Sequence, residues 1–143
     1  MEIKQCKTVA KTFLNKKKSK LYASNKQLVL NKKKYRIRPD DIYYFSEFVL
    51  LIEYENNKRP VESISKYWWL LEKIKKDGIC CDKLKFCIFL INNNIDEIRK
   101  ESVRILGDEL SKKYPDIFEF HYLMPENISK NNIEGIIEDC FNS

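Results

Sequence analysis

Three observations on this 143-residue chain predict an α/β architecture built on a mixed sheet. Runs rich in aromatic and β-branched residues alternate with segments whose apolar residues recur every three to four positions. Two strand-like runs stand back to back across Ser46-Glu47, the pattern of an antiparallel hairpin. Beyond them, strands and helices alternate. The order read from the sequence is α-β-β-β-α-β-α-β-α, which implies a mixed β-sheet flanked by helices.

The first helix is carried by Ile3, Cys6, Val9, Ala10, Phe13 and Leu14, one apolar stripe running to about Lys18 with lysines on the other side. Gln27 to Leu30 and Tyr35 to Arg38 flank Asn31-Lys32-Lys33-Lys34, which reads as a strand, a basic turn and the start of a second strand. The second strand continues through Asp41-Ile42-Tyr43-Tyr44-Phe45. After the turn, Phe48 to Glu55 is a third strand, and Asn56-Asn57 break it. Pro60 suits the first turn of a helix, Gly78 ends it, and Val61, Ile64, Trp68, Leu71 and Ile74 form its expected inner face. Leu84 to Ile91 reads as a continuous apolar strand buried on both sides. Ile95 to about Tyr114 is a helix with Ile95, Ile98, Val103, Leu106 and Leu110 inward. Ile117 to Tyr122 is a strand closing an edge, and Ile128 to Phe141 is a helix packing through Ile133, Ile136 and Ile137.

Composition narrows the class. With 43% hydrophobic and 13% aromatic residues the chain is globular, and three glycines and four prolines leave no room for a linker, so 1–143 reads as a single domain. The longest apolar run, Phe86 to Ile91, falls far short of the roughly 18 residues that cross a bilayer, so no membrane partner is expected. No secretion signal opens the sequence. Cys6, Cys80, Cys81, Cys87 and Cys140 form no CxxC pair, and with one histidine, His121, the chain lacks a zinc ligand set. Reduced thiols and a cytoplasmic location are the expectation. Residues 1–38 carry 13 lysines and arginines against one acid, Glu2, whereas the remainder is net acidic. A basic end on an acidic body suits a phosphate-rich partner.

The feature that carries chemistry is Arg38-Pro39-Asp40-Asp41 followed by Ile52-Glu53-Tyr54-Glu55. Pairing about a Ser46-Glu47 turn sets Asp40 opposite Glu53, with Cβ atoms expected about 4.5–5.5 Å apart. The two-residue period of a strand puts Glu55 on the same face. Like charges so close repel unless a divalent cation sits between them, and Mg²⁺ takes one or two carboxylates while keeping several waters. Such an ion polarises a phosphoryl oxygen and lowers the pKa of bound water, the equipment of phosphodiester hydrolysis. A slip of one residue would present Asp41 instead. Glu2 is a further acid that the first helix brings toward the cluster, or leaves as a solvated terminus. Tyr43, Tyr44, Trp68 and Trp69 are candidates for base stacking or for core, and Trp69 lies off the inner stripe. His121 reads as a satisfied polar residue.

Pro39-Asp40, the separation to Glu53-Tyr54-Glu55 and the order helix, three strands, helix, strand up to about Ile91 resemble the PD-(D/E)xK nuclease superfamily, the restriction-endonuclease-like fold. That resemblance divides the chain into a core, 1–91, and an appended α-β-α unit, 92–143. It implies Asp40 and Glu53 as metal ligands, Mg²⁺ (or Mn²⁺) as cofactor and DNA as substrate. The family usually has Lys where this chain has Glu55, although members with Glu there exist. Glu55 would then accept a proton from water or bind a second metal, and Lys66, Lys58 or Arg59 would supply the missing positive charge. The resulting expectation is a Mg²⁺-dependent endonuclease. In it Asp40, Glu53 and the Tyr54 carbonyl hold the metal, Glu55 positions water and Lys66 stabilises developing charge. Lys16, Lys17, Lys18, Lys32, Lys33, Lys34, Arg36 and Arg38 contact phosphates. Cutting both strands of a duplex would call for a homodimer. The alternatives are an inactive nuclease-fold binding module, favoured by the departure at Glu55, and a basic α/β adaptor for an acidic protein.

Overall fold

The computed structural model describes residues 1–78 and 81–143. A five-stranded mixed sheet runs β1 (Leu21–Ser24), β4 (Asp41–Tyr44), β5 (Phe48–Glu55), β6 (Lys83–Leu90), β7 (Phe118–Leu123). Two short strands, β2 (Val29–Leu30) and β3 (Lys33–Lys34), form a separate hairpin between β1 and β4. β1 to β5 meet antiparallel; β5, β6 and β7 are parallel. The helices are α1 (Ile3–Leu14), α2 (Val61–Asp77), α3 (Glu97–Lys113) and α4 (Lys130–Asn142).

The sheet buries both faces. On one side Ile42, Val49, Leu51, Phe86 and Ile88 pack against α2 and α3 through Ile64, Tyr67, Leu71, Val103 and Leu110. On the other, Tyr43, Leu50, Ile52, Cys87 and Phe89 pack against α1 and α4 through Cys6, Ala10, Ile133 and Ile137. The two crossover helices lie on the same face, as expected when parallel strands are added in one direction with one crossover hand. Residues 92–143, expected as an appended unit, are woven into this body: β7 extends the sheet beside β6, and α4 shares a core with α1 and β5.

The order of helices and main-sheet strands is the one the sequence predicts, but the first strand is a different segment. It is Leu21–Ser24, and the 27–38 segment forms its own hairpin. The reason is local. Asn31 and Lys32 have φ of 49° and 68°, the two positive values of a tight two-residue hairpin turn. The chain folds back there and buries Leu28, Leu30, Tyr35 and Ile37 in the α2-side core. A lysine in the left-handed region costs about 1 kcal/mol more than the glycine such turns favour. Leu21–Ser24 escaped the reading because three of its four residues are exposed, so no alternation marks it.

Helix faces shift in the same way. α1 stops at Leu14, short of the lysines at 16–18, which have no apolar stripe to bury. In α2 the inner stripe is Ile64, Tyr67, Leu70, Leu71 and Ile74, so Trp68, expected inside, is 46% exposed. In α3, Ile98, expected inside, is 79% exposed, because the stripe runs through Val103, Gly107 and Leu110. Gly78 ends α2 as expected, and does so in the left-handed conformation with φ 65°. Within the expected apolar strand β6, Lys85 is buried beneath the carboxyl end of α4, where its Nζ donates to the Cys140 carbonyl. Among the described residues no helix is long and apolar enough to cross a membrane. Cys6, Cys87 and Cys140 are buried and form no disulfide; Cys80 lies outside the described residues.

Candidate functional site

The β4–β5 register decides which acids meet. Asp41 pairs with Ile52, Ile42 with Leu51, Tyr43 with Leu50 and Tyr44 with Val49. This is the predicted pairing about Ser46-Glu47, and continued by one residue it sets Asp40 opposite Glu53. Asp40 has just left the strand. Its Oδ2 accepts the Tyr54 amide proton at 2.7 Å, which anchors the carboxylate beside Glu53. Its own carbonyl is held from β1's end by the Asn25 amide at 3.1 Å and the Ser24 hydroxyl at 3.2 Å.

Glu53 and Glu55 face α2, the side on which Val49 and Leu51 also lie. Helix α2 runs back over β5 and matches the strand's two-residue step with its own three-to-four-residue step. Ser63 Oγ donates to Glu55 Oε2, while Lys66 and Tyr67, one turn on, both reach Glu53. Lys66 Nζ lies 2.5 Å from Glu53 Oε2. Tyr67 Oη donates to the same oxygen at 3.1 Å. Glu55 Oε1 accepts the Asn57 amide at 2.7 Å.

Glu53 is only 5% exposed. Burial raises its pKa above the ordinary carboxylate value, and the negative Asp40 pushes the same way; Lys66 and the Tyr67 hydroxyl oppose them. Tyr67, fully buried against Glu53, is pushed well up by desolvation and by that carboxylate. The hairpin end therefore holds two acids close enough to feel each other and one lysine between their charge and solvent.

Whether these residues suit a divalent cation is a question of donor chemistry. Asp40 uses Oδ2 and Glu53 uses Oε2 in the bonds just given, so each retains a second carboxylate oxygen. The Glu55 carbonyl accepts from Ile91 of the neighbouring chain segment, so it points toward β6. Backbone carbonyls alternate along a strand, and the Tyr54 carbonyl accordingly points toward Asp40. Two carboxylates and one carbonyl are the hard-oxygen set that Mg²⁺ accepts. Among the described residues no group of three or more His, Cys, Asp or Glu side chains converges as a metal cluster, and Glu55 is turned toward Ser63 and Asn57 rather than toward Asp40.

The other candidates fall in three places. Asp41 faces α1, on the opposite side of the sheet from Asp40. It is 1% exposed, its Oδ1 accepts from Tyr22 Oη at 2.6 Å, and among the described residues its Oδ2 and the buried Tyr54 hydroxyl, which lie near one another, make no hydrogen bond of ordinary geometry. Glu2 precedes α1, and its amide donates to Gln5 Oε1 at 2.9 Å. Lys58 and Arg59 are exposed in the turn before α2. His121, on the edge strand, has Nε2 2.6 Å from Glu119 Oε2 and is the satisfied polar residue expected. Trp69, like Trp68, is 46% exposed, while Tyr43 is core.

The basic residues divide by position. Lys16, Lys17 and Lys18 flank the Ser46-Glu47 turn, five residues along β5 from Glu53, or roughly 17 Å at strand rise. The structure does not bring them to the carboxylates, and Lys17 is bound to Glu138 at 3.0 Å. Lys33 forms an ion pair with Asp77 that pins the small hairpin to the end of α2. Arg36 is exposed. Lys32, Lys34 and Arg38 line a cavity of about 800 Å³ together with Lys26. Lys26 and Tyr67 were missed from sequence. Tyr67 was readable from its three-residue step from Ile64, whereas Lys26 had no signal beyond general basicity. Compared with protein-family models, curated proteins and solved structures, the chain matches none.

Proposed function

We propose that the chain is a metal-dependent deoxyribonuclease of restriction-endonuclease-like fold, acting at the Asp40–Glu53 end of the β4–β5 hairpin. The observation that carries this reading is the meeting of Asp40, Glu53 and Lys66 at one point: a hairpin register, a backbone anchor and a helix residue deliver two acids and a cation. The sheet order and the helix after β5 are in keeping with that fold. Asp40, Glu53 and the Tyr54 carbonyl would hold Mg²⁺ or Mn²⁺. A bound ion of this kind polarises a phosphoryl oxygen and supplies a nucleophilic water near neutral pH. Lys66 would stand in for the lysine that the usual motif has at the Glu55 position: it opposes the burial that raises the Glu53 pKa and would offer positive charge to a developing phosphorane. Glu55, engaged by Ser63 and Asn57, is outside the ligand set of the first ion in this reading. A duplex cut on both strands would take two copies of the chain.

The test is cleavage of supercoiled and branched DNA with Mg²⁺ or Mn²⁺, set beside Asp40→Asn and Glu53→Gln. Both substitutions keep shape and remove charge, and each is expected to lower the rate by at least a hundredfold. Cleavage that survives either one removes the site. A second reading, a binding module that has lost its chemistry, is favoured by Glu55 being engaged with Ser63 and Asn57. It predicts salt-sensitive DNA binding with no cleavage by any divalent ion.

A further inference from the structure

The cavity of about 800 Å³ between β1 and the β2–β3 hairpin has the dimensions of a small-molecule site and one sign of charge. Lys26, Lys32, Lys34 and Arg38 line it with no acid among them, and none has an ion pair with a described residue. Lys33 is turned away to Asp77, so the hairpin's lysines alternate between a structural anchor and the cavity. A cleft lined by one sign of charge with low-dielectric walls focuses its field. The walls are apolar: Leu21 and Val29 are exposed into it, and Ala23 and Tyr44 complete it. The Val29 amide donates to Tyr44 Oη at 3.0 Å, which fixes the hairpin over the sheet and keeps the cleft open.

Backbone strain points to the same place. Among the described residues, the non-glycine ones with positive φ are Asn25, Asn31 and Lys32, and all three line this cavity. Asparagine tolerates that region well; lysine does not. Lys32 occupies the turn position where glycine would be easier, and it carries its ammonium to the rim.

We infer that this cleft binds one unpaired nucleotide, its phosphate on Lys32, Lys34, Arg38 and Lys26 and its base against the apolar wall. A duplex keeps its bases stacked and presents none to such a wall, whereas an unpaired nucleotide offers a phosphate to the basic side chains and a base to the apolar ones. The source of the nucleotide is either a free monophosphate or the unpaired end of a strand. The inference does not depend on the carboxylate site, so binding is measured in EDTA and repeated with Glu53→Gln.

The experiment is fluorescence anisotropy of a labelled six-nucleotide oligo-dT and of a blunt hairpin duplex on the full chain. The single strand is expected to bind more tightly than the duplex at equal salt. Lys34→Glu and Arg38→Glu are each expected to weaken it tenfold or more, while Lys75→Glu, exposed on α2, leaves it unchanged. Lys32→Gly separates binding from folding: it is expected to weaken the oligonucleotide several-fold while Tm holds or rises. Competition by dTMP identifies a free nucleotide as sufficient, and competition only by oligo-dT identifies a strand end. Unchanged affinity in both charge reversals overturns the inference. So does duplex binding as tight as single-strand binding, or competition by inorganic phosphate equal to that of dTMP.

Discussion

Removing Lys66 tests the electrostatics on which the hairpin-end site is built. Glu53 is 5% exposed; burial and Asp40 raise its pKa, and Lys66 at 2.5 Å is the main influence opposing them. Stripping one partner from a fully buried pair costs roughly 3–5 kcal/mol. A solvent-exposed pair is worth about 0–1 kcal/mol. The Lys66 side chain is 37% exposed, which places the pair between those limits. Lys66→Met keeps the aliphatic stem and should therefore cost about 2 kcal/mol, or roughly 6–8 °C in Tm for a chain of this length.

The pH dependence gives the sharper reading. An acid whose pKa is raised by folding binds more protons in the native state, so stability falls as pH rises from the ordinary value through the folded one. Without Lys66 the Glu53 pKa climbs further, and the penalty extends to higher pH. The Lys66→Met deficit should then be largest near pH 8 and should close as the pH approaches the unfolded carboxylate value of 4.5. In a Glu53→Gln background the same substitution should cost little, because no charge is left to strand. The assay is thermal unfolding of wild type, both single variants and the double variant at about pH 4.5 and pH 8. A deficit equal at both pH values, or unchanged in the Glu53→Gln background, would refute the assignment.

Two further predictions concern the frame around the site. A Cβ at Gly107 would fall 2.2 Å from Phe120 Cε2, and that ring is held between Tyr122 and Phe86, at centroid distances of 5.4 and 5.9 Å. Gly107→Ala should cost about 1–3 kcal/mol by overpacking, measurable as a Tm loss that Phe120→Leu partly restores. For His121, burial alone would lower the pKa, but Cys140 and the Glu119 carboxylate outweigh it and hold the imidazolium up to about 9. Its contribution is therefore complete below about pH 6.5 and is lost as pH rises through about 9. His121→Gln should remove roughly 2–3 kcal/mol of that slope in urea titrations at about pH 6 and pH 9.5.

What the sequence disclosed and what it withheld divide along a physical line. Where a local signal is strong the reading agrees with the structure: the Ser46-Glu47 turn set the β4–β5 register, Gly78 marked the end of α2, and dense apolar or aromatic runs marked β6 and β7 as strands. Asp40 could be set against Glu53 because a two-residue turn fixes parity. The failures lie where burial is partial or tertiary. β1 is mostly exposed and carries no alternation, so the neighbouring hairpin, with better-buried Leu28 and Ile37, took its place in the prediction. Trp68 resembles a core residue in composition, yet Tyr67, one position earlier, faces Glu53. A helix face known only to within 100° cannot choose between adjacent aromatics. The grouping of Lys26 with Lys34 and Arg38 depends on how the hairpin lies over β1, which no local pattern encodes.

The carboxylates and the basic cleft adjoin one another through Asn25, which lines the cleft and donates its amide to the Asp40 carbonyl at 3.1 Å. Arg38 and Asp40 are separated by Pro39 alone. We propose that a strand whose end is held in the cleft leaves it at Asn25 and passes its next phosphates by Asp40 and Glu53, acids that repel it unless a cation lies between. Two unit charges about 10 Å apart interact by roughly 0.4 kcal/mol in water and about twice that where half the path is protein. Asp40→Asn should thus raise single-strand affinity about two- to fourfold in EDTA and make little difference in saturating Mg²⁺, where an ion at the proposed metal site would offset the wild-type charge. Anisotropy titrations with and without Mg²⁺ measure both halves of the comparison. Equal affinity of wild type and Asp40→Asn in EDTA would mean that the cleft and the acids do not serve the same strand, and the phosphate path joining them would have to be given up.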